Sequence, residues 1–124
     1  KLGADFVSRL KTVDPKLVDN NYAGEAYDAT TIIALAAEQA KSNKGTEIAK
    51  KINGITKDGT KCTSFAACKK LIDAGTDPDY DGIIGKLNFT DAGEPGVGSY
   101  GVLVFGKDNK IDNSKTTFRV VGEK

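Results

Sequence analysis

The residues that could do chemistry fall in a few places. Cys62 and Cys68 are separated by five residues. That is not the C-x-x-C spacing of redox motifs. Cys62 stands just before a helical pattern and Cys68 just over one turn inside it, so a disulfide across that junction is sterically allowed. The competing reading is two unrelated buried thiols. The pair is local, even in number and without metal partners, which favours the bridge and, with it, a compartment outside the reducing cytosol. A ring this small contributes about 2 kcal/mol by loop entropy.

Asp77-Pro78-Asp79-Tyr80-Asp81-Gly82-Ile83-Ile84 spells the opening of a calcium-binding EF-hand loop. It has acids at positions 1, 3 and 5, Gly at 6 and an apolar residue at 8. The match then fails. Position 12 is Asn88, which cannot supply a bidentate carboxylate, and the following residues read as a strand rather than an exiting helix. Asp and Gly also gather in ordinary turns, so a plain helix-to-strand turn competes with calcium binding by Asp77, Asp79 and Asp81.

Asn88-Phe89-Thr90 is a glycosylation sequon by spelling, and the stretch Gly93 to Gly101 has no phosphate-loop spacing. Glu25 and Asp28 could act as paired carboxylates, although a helix N-terminus attracts acids in any case. Tyr22 and Tyr27 flank the same N-terminus, and an aromatic there is either core or site.

Composition removes several classes of function. The chain has 124 residues, 18 basic and 17 acidic, with no His, Trp or Met. Without His there is no Ser-His-Asp or Cys-His catalysis, and two cysteines alone cannot build a tetrahedral zinc site. A net charge of +1, carried by 16 Lys and only 2 Arg, gives no electrostatic footprint for nucleic acid. The longest apolar stretch, Thr31 to Ala37, is far too short to cross a bilayer. At 39% hydrophobic the chain is expected to fold. Beginning at Lys1 rather than Met, it is expected to be a processed or excised piece.

The elements that must hold these residues read as helices first and strands second. Phe6, Val7 and Leu10 mark one face of a first helix, which Asp14-Pro15 stops. A long helix is predicted from about Glu25 to Lys41, with a stripe of Ala26, Ala29, Ile33, Ala36 and Ala40 widened by Ile32 and Leu35. Thr46 is expected to cap a short helix that turns Ile48, Ala49 and Ile52 inward and ends at Gly54. Thr63 or Ser64 caps another, with Phe65, Cys68 and Ile72 on one face and Gly75 as its terminator. Ile83–Phe89 and Tyr100–Phe105 read as two strands paired antiparallel, and Thr117 to Val121 as a last strand. A free-standing α/β domain would alternate helices and strands, so this order hints at a missing parallel sheet partner.

With these elements placed, the sequence resembles the C-terminal third of ABC-transporter substrate-binding proteins of the branched-chain amino-acid type, which are type 1 periplasmic binding proteins. The resemblance rests on an ordered set: the helix Asp5 to Pro15, then Tyr22-Ala23-Gly24-Glu25-Ala26-Tyr27-Asp28-Ala29, then the short helix Glu47 to Asn53 and the Cys-bearing segment. Tyr80-Asp81-Gly82 through Phe89 and then Gly93 with Tyr100-Gly101-Val102 complete it. Lys86 stands where the family often has Pro. The set covers nearly the whole chain, although no single motif is diagnostic.

The resemblance implies an α/β fragment, residues 1–124, forming a partial lobe of the type 1 periplasmic-binding-protein fold. Its helical part is about 1–75, and its strand part, a β-hairpin plus a last strand, about 80–124. It implies uptake of a small amphipathic solute such as a branched-chain amino acid, held between two lobes without catalysis or cofactor. An ABC permease would be the partner and the location extracytoplasmic, as a cell-surface lipoprotein or a periplasmic protein. Tyr27 would close over the ligand, with Glu25 and Asp28 as neighbouring contacts. Secreted members carry a similar Cys-bearing loop. The fragment would expose apolar surface where its sheet partner belongs, and self-association would follow. Two other readings compete: a small secreted calcium-binding module, and an enzyme using two carboxyls about 5–9 Å apart across a cleft.

Overall fold

The computed structural model describes residues 2–112 and 114–122. They form a mixed α/β arrangement of four α-helices and two small two-stranded sheets. The helices are α1 (Ala4–Val13), α2 (Ala23–Ala40), α3 (Gly45–Ile52) and α4 (Phe65–Asp73); the strands are β1 (Thr60–Cys62), β2 (Pro78–Tyr80), β3 (Val97–Val102) and β4 (Thr117–Gly122).

The core sits where α2 meets α3, α4 and the first sheet. Ile32, Leu35 and Ala36 of α2 meet Ile55, Cys62, Cys68, Tyr80 and Leu87, with Ile48, Ile52, Leu71 and Ile72 packed around them. The long helix forms as its pattern predicts, but its buried face is turned. The interior residues are Asp28, Thr31, Ile32, Leu35 and Ala36, spaced i, i+3, i+4, i+7 and i+8. Ala26, Ala29 and Ile33, expected on the inner stripe, are exposed. A buried carboxylate fixes that rotation, as the site geometry shows.

Ser64 caps α4, its hydroxyl oxygen accepting from the Ala67 amide at 3.2 Å. Gly75 ends that helix at φ +74°, a left-handed conformation suited to glycine. The short helix α3 has no side-chain cap, starts at Gly45 ahead of Thr46, and leaves Ala49 exposed. It runs on through a 3-10 turn, Asn53–Thr56, rather than stopping at Gly54.

The sheets differ from expectation in two respects. β1 and β2 pair in parallel, Thr60 opposite Pro78 and Cys62 opposite Tyr80, with α4 as the crossover. One strand of this parallel pair, β1, thus lies inside the part that read as helical, and β2 lies between it and the strand part. Residues 83–89 are not a strand. Gly82 and Gly85 close a tight turn by exchanging backbone hydrogen bonds at 3.2 and 3.1 Å. Gly85 at φ +95° and Asn88 at φ +47° interrupt extension further. Leu87 drops into the core, and the Phe89 amide donates to the Thr56 hydroxyl at 3.0 Å. The antiparallel ribbon is built instead by β3 and β4, with Val97 opposite Gly122 and Val102 opposite Thr117.

Cys62 and Cys68 are bridged, with an S–S distance of 2.01 Å and Cα atoms 5.3 Å apart. The bridge ties the end of β1 to the second turn of α4, and both cysteines are buried in the core. Replacing both by alanine is expected to lower unfolding stability by about 2 kcal/mol, read as a lower urea midpoint. An unchanged midpoint would show that the bridge adds nothing to the packing around it.

Candidate functional site

Two neighbouring residues at the start of α2 do different work. Asp28 points into the interior and is only 1% exposed. One carboxylate oxygen accepts from the Tyr80 hydroxyl at 2.8 Å and from the Ile83 amide at 2.9 Å. The other accepts from the Ile84 amide at 2.9 Å. A buried carboxylate without such partners would be very costly, so these three donors are what allow it to sit there. They also take the amides of Ile83 and Ile84 away from any strand ladder. Gly82 makes the approach possible, because a Cβ there would overlap the Asp28 carboxylate.

Burial and the adjacent Asp28 carboxylate push the Tyr80 phenol far above its ordinary value of 10.0. The neutral phenol, which donates to Asp28, is therefore the form the fold retains.

Tyr27, one residue earlier, faces outward and is 40% exposed. Its ring meets the Phe6 ring edge-on, centroids 5.5 Å apart at 76°. The Arg9 guanidinium lies over both rings, 5.7 Å from the Phe6 centroid and 5.9 Å from that of Tyr27. Phe6 and Arg9 share a face of α1 because they are three residues apart. Beside them runs a groove of about 590 Å³, walled chiefly by Phe6, Leu10, Leu17, Ala23, Ala26 and Tyr27.

The groove's second wall is shaped by local turns. After Pro15 breaks the first helix, the Asp14 and Asp19 side chains accept from the Lys16 and Asn21 amides at 2.9 and 2.8 Å. These turns carry Leu17 back beside α2. Among the described residues no carboxylate lies within ion-pair distance of Arg9, which leaves its charge open to an anion beside the two rings; Arg9 does not line the groove, whereas Asp19, Asn21, Thr30 and Thr31 add a polar part to its wall. Glu25 is exposed on α2 and does not line the groove. A larger depression of about 720 Å³ lies at the far end of α2, by Glu38, Lys41 and Asp73. It has no aromatic wall, and Lys69 beside it is already paired with Asp73 at 2.8 Å.

The three acids of the calcium-like segment do not converge. Asp79 and Asp81 both pair with the Lys61 ammonium at 2.9 Å, while Asp77 accepts from the Gln39 amide on α2 at 2.8 Å. Desolvation opposes the charge on Lys61, but its hydrogen bonds to Asp79 and Asp81 outweigh that and hold the ammonium above its ordinary value. Where a loop would hold a metal, the chain supplies its own cation. Among the described residues no group of three or more His, Cys, Asp or Glu is placed to bind a metal.

Sequence reasoning singled out Tyr27, Glu25 and Asp28 together. The structure puts Tyr27 on the groove, Glu25 in solvent and Asp28 in the core. It adds Arg9 and Phe6, whose helical spacing three apart was the available signal. It also adds Tyr80 as the partner of Asp28, a pairing across 52 residues that no local pattern announces.

No family model, curated protein or solved structure matches this chain.

Two outcomes test the site's construction. Asp28→Asn places an amide donor against at least one backbone donor, and the expected loss is about 2–3 kcal/mol of unfolding stability. In an alkaline titration followed by tyrosinate absorbance, Tyr80 is expected to ionise only as the chain unfolds. A folded pKa raised above the unfolded one means that this contribution is complete below about pH 10 and is lost as pH rises beyond it. Ionisation of Tyr80 in a chain that is still folded would contradict its burial.

Proposed function

We propose that this chain forms part of one lobe of an extracytoplasmic solute-binding protein that delivers a small amphipathic solute to an ABC permease. The observation that carries this reading is the groove beside Tyr27. Its walls are largely apolar, which suits a hydrocarbon body, with the Phe6–Tyr27 pair at one side; the Arg9 guanidinium lies over that pair, outside the residues that line the groove, where it could meet a carboxylate. A branched-chain amino acid or a related small acid has that combination of parts.

The ordered resemblance of Tyr22–Ala29 and Tyr80–Phe89 to that family supports the same reading. So does the way those two segments meet: the first carries the buried carboxylate, and the second supplies its donors. The disulfide is compatible with an extracellular or secreted protein, and no helix among the described residues is long and apolar enough to cross a membrane. In a two-lobed protein the groove would be one wall of a cleft, and ligand would act by favouring the closed arrangement.

The test is a nuclear magnetic resonance titration of the chain with leucine, with urea as a neutral control. Leucine is expected to bind weakly, at about 1 mM, because one wall provides only part of the contacts. The shifts should centre on Phe6, Arg9 and Tyr27. Arg9→Gln is expected to weaken binding about tenfold by removing the charged hydrogen bond. Shifts centred elsewhere, or equal binding by the Arg9 variant, would count against the groove.

A further inference from the structure

The groove beside Tyr27 has a polar stretch as well as its aromatic and aliphatic walls. Asp19, Asn21, Thr30 and Thr31 supply it. The hydrogen bonds that these side chains already make decide what the stretch can still recognise.

Both threonine hydroxyls have spent their protons on α2 itself. Thr30 donates to the Ala26 carbonyl at 2.8 Å and Thr31 to the Tyr27 carbonyl at 3.0 Å. A hydroxyl has one proton and two lone pairs, so both can now only accept. Asp19 accepts as well. One of its oxygens takes the Asn21 amide at 2.8 Å, and the rest of the carboxylate has no hydrogen-bond or ion-pair partner among the described residues. Only the Asn21 side chain can still offer a donor. The polar wall therefore asks a ligand for protons rather than giving them.

Charge points the same way. Asp19 is the only charged residue that lines the groove, and the Arg9 guanidinium lies outside it, over the Phe6 and Tyr27 rings. Ala23, the first residue of α2, is also in the wall, and a helix N-terminus carries about half a positive charge. The whole negative charge of Asp19 outweighs it.

We propose that this polar wall is an ammonium subsite: Asp19, with the hydroxyl oxygens of Thr30 and Thr31, takes the protonated amine of a solute whose branched hydrocarbon body lies against the apolar walls. The inference rests on the groove being a solute site and narrows what enters it. Alkylamines are protonated at neutral pH, as a lysine side chain is, and so are free α-amino acids. Both classes fit. A desamino acid of the same carbon skeleton can still turn its carboxylate to Arg9, but it brings no donor to Asp19 and leaves that charge partly desolvated and unpaired. The groove therefore selects amines and amino acids over the corresponding acids.

Three compounds that share one branched skeleton separate the polar contacts: leucine, isoamylamine, which lacks the carboxylate, and 4-methylpentanoate, which lacks the amine. In magnetic resonance titrations at neutral pH, leucine and isoamylamine are expected to shift the signals of Asp19, Thr30 and Thr31. The exposed position of Asp19 keeps its charge pairing modest, so 4-methylpentanoate is expected to bind about fivefold more weakly than leucine. Asp19→Asn keeps a side-chain oxygen for the Asn21 amide, so the turn that shapes the groove survives. The variant is expected to weaken leucine and isoamylamine about fivefold and to leave 4-methylpentanoate unchanged. Binding of 4-methylpentanoate as tight as that of leucine, or isoamylamine binding indifferent to Asp19→Asn, would overturn the subsite. Leucine binding that responds to Arg9→Gln but not to Asp19→Asn would overturn the subsite and leave the groove a solute site. Failure of all three compounds to bind would overturn both.

Discussion

The buried carboxylate of Asp28 is the constraint on which the main body of this fold depends. It joins two parts of the chain that are 52 to 56 residues apart: the second turn of α2, and the end of β2 with the turn that follows it. Charged hydrogen bonds in a site shielded from water are stronger than their solvent-exposed counterparts, and leaving any of the donors unpaired is costly. The rotation of α2 follows from this. Once Asp28 faces inward, the residues three, four, seven and eight positions later must face inward too, and these are Thr31, Ile32, Leu35 and Ala36. Tyr27 is then carried to the outside. The groove and the core are thus consequences of one side chain's orientation.

Much of the local structure was legible. The α1 pattern ended where Asp14-Pro15 predicted, the Ser64 cap formed, and Gly75 terminated α4. The cysteine pair, read from locality and parity, is bridged. These are short-range effects, settled within a turn or two of helix. What failed did so through tertiary contacts. The Ala26-Ala29-Ile33 stripe was an apolar periodicity without knowledge of where Asp28 would be satisfied. A charged residue is normally assigned to the outside, so a helix that buries one is read with the wrong face inward. The segment from Ile83 to Phe89 has strand-like residues, but its first two amides belong to a side chain from another element.

The acid-rich segment was misleading for a related reason. Asp77, Asp79, Asp81 and Gly82 spell a metal loop, yet their structural duties are separate. Gly82 makes room for Asp28, Lys61 pairs with both Asp79 and Asp81, and Asp77 meets Gln39. Of the candidate site, Tyr27 was within reach of sequence reasoning, whereas Arg9 became visible only when α1 and α2 were brought together. The parallel β1–β2 pair was hidden because strands of three residues are too short to show a period.

The contacts also differ in how much chain each must gather. The bridge between Cys62 and Cys68 spans six residues, whereas Asp28 meets Tyr80, Ile83 and Ile84 across 52 to 56. Closing a long loop costs more entropy than closing a short one, and non-local contacts slow folding. The β1–α4–β2 unit is closed by short-range contacts, and Tyr80 lies on the surface it presents to α2. Whatever the order of docking, the one inward carboxylate of α2 serves as its register mark against that surface. A helix arriving in the wrong rotation would bury that charge without partners, so misdocked chains are rejected by energy rather than trapped.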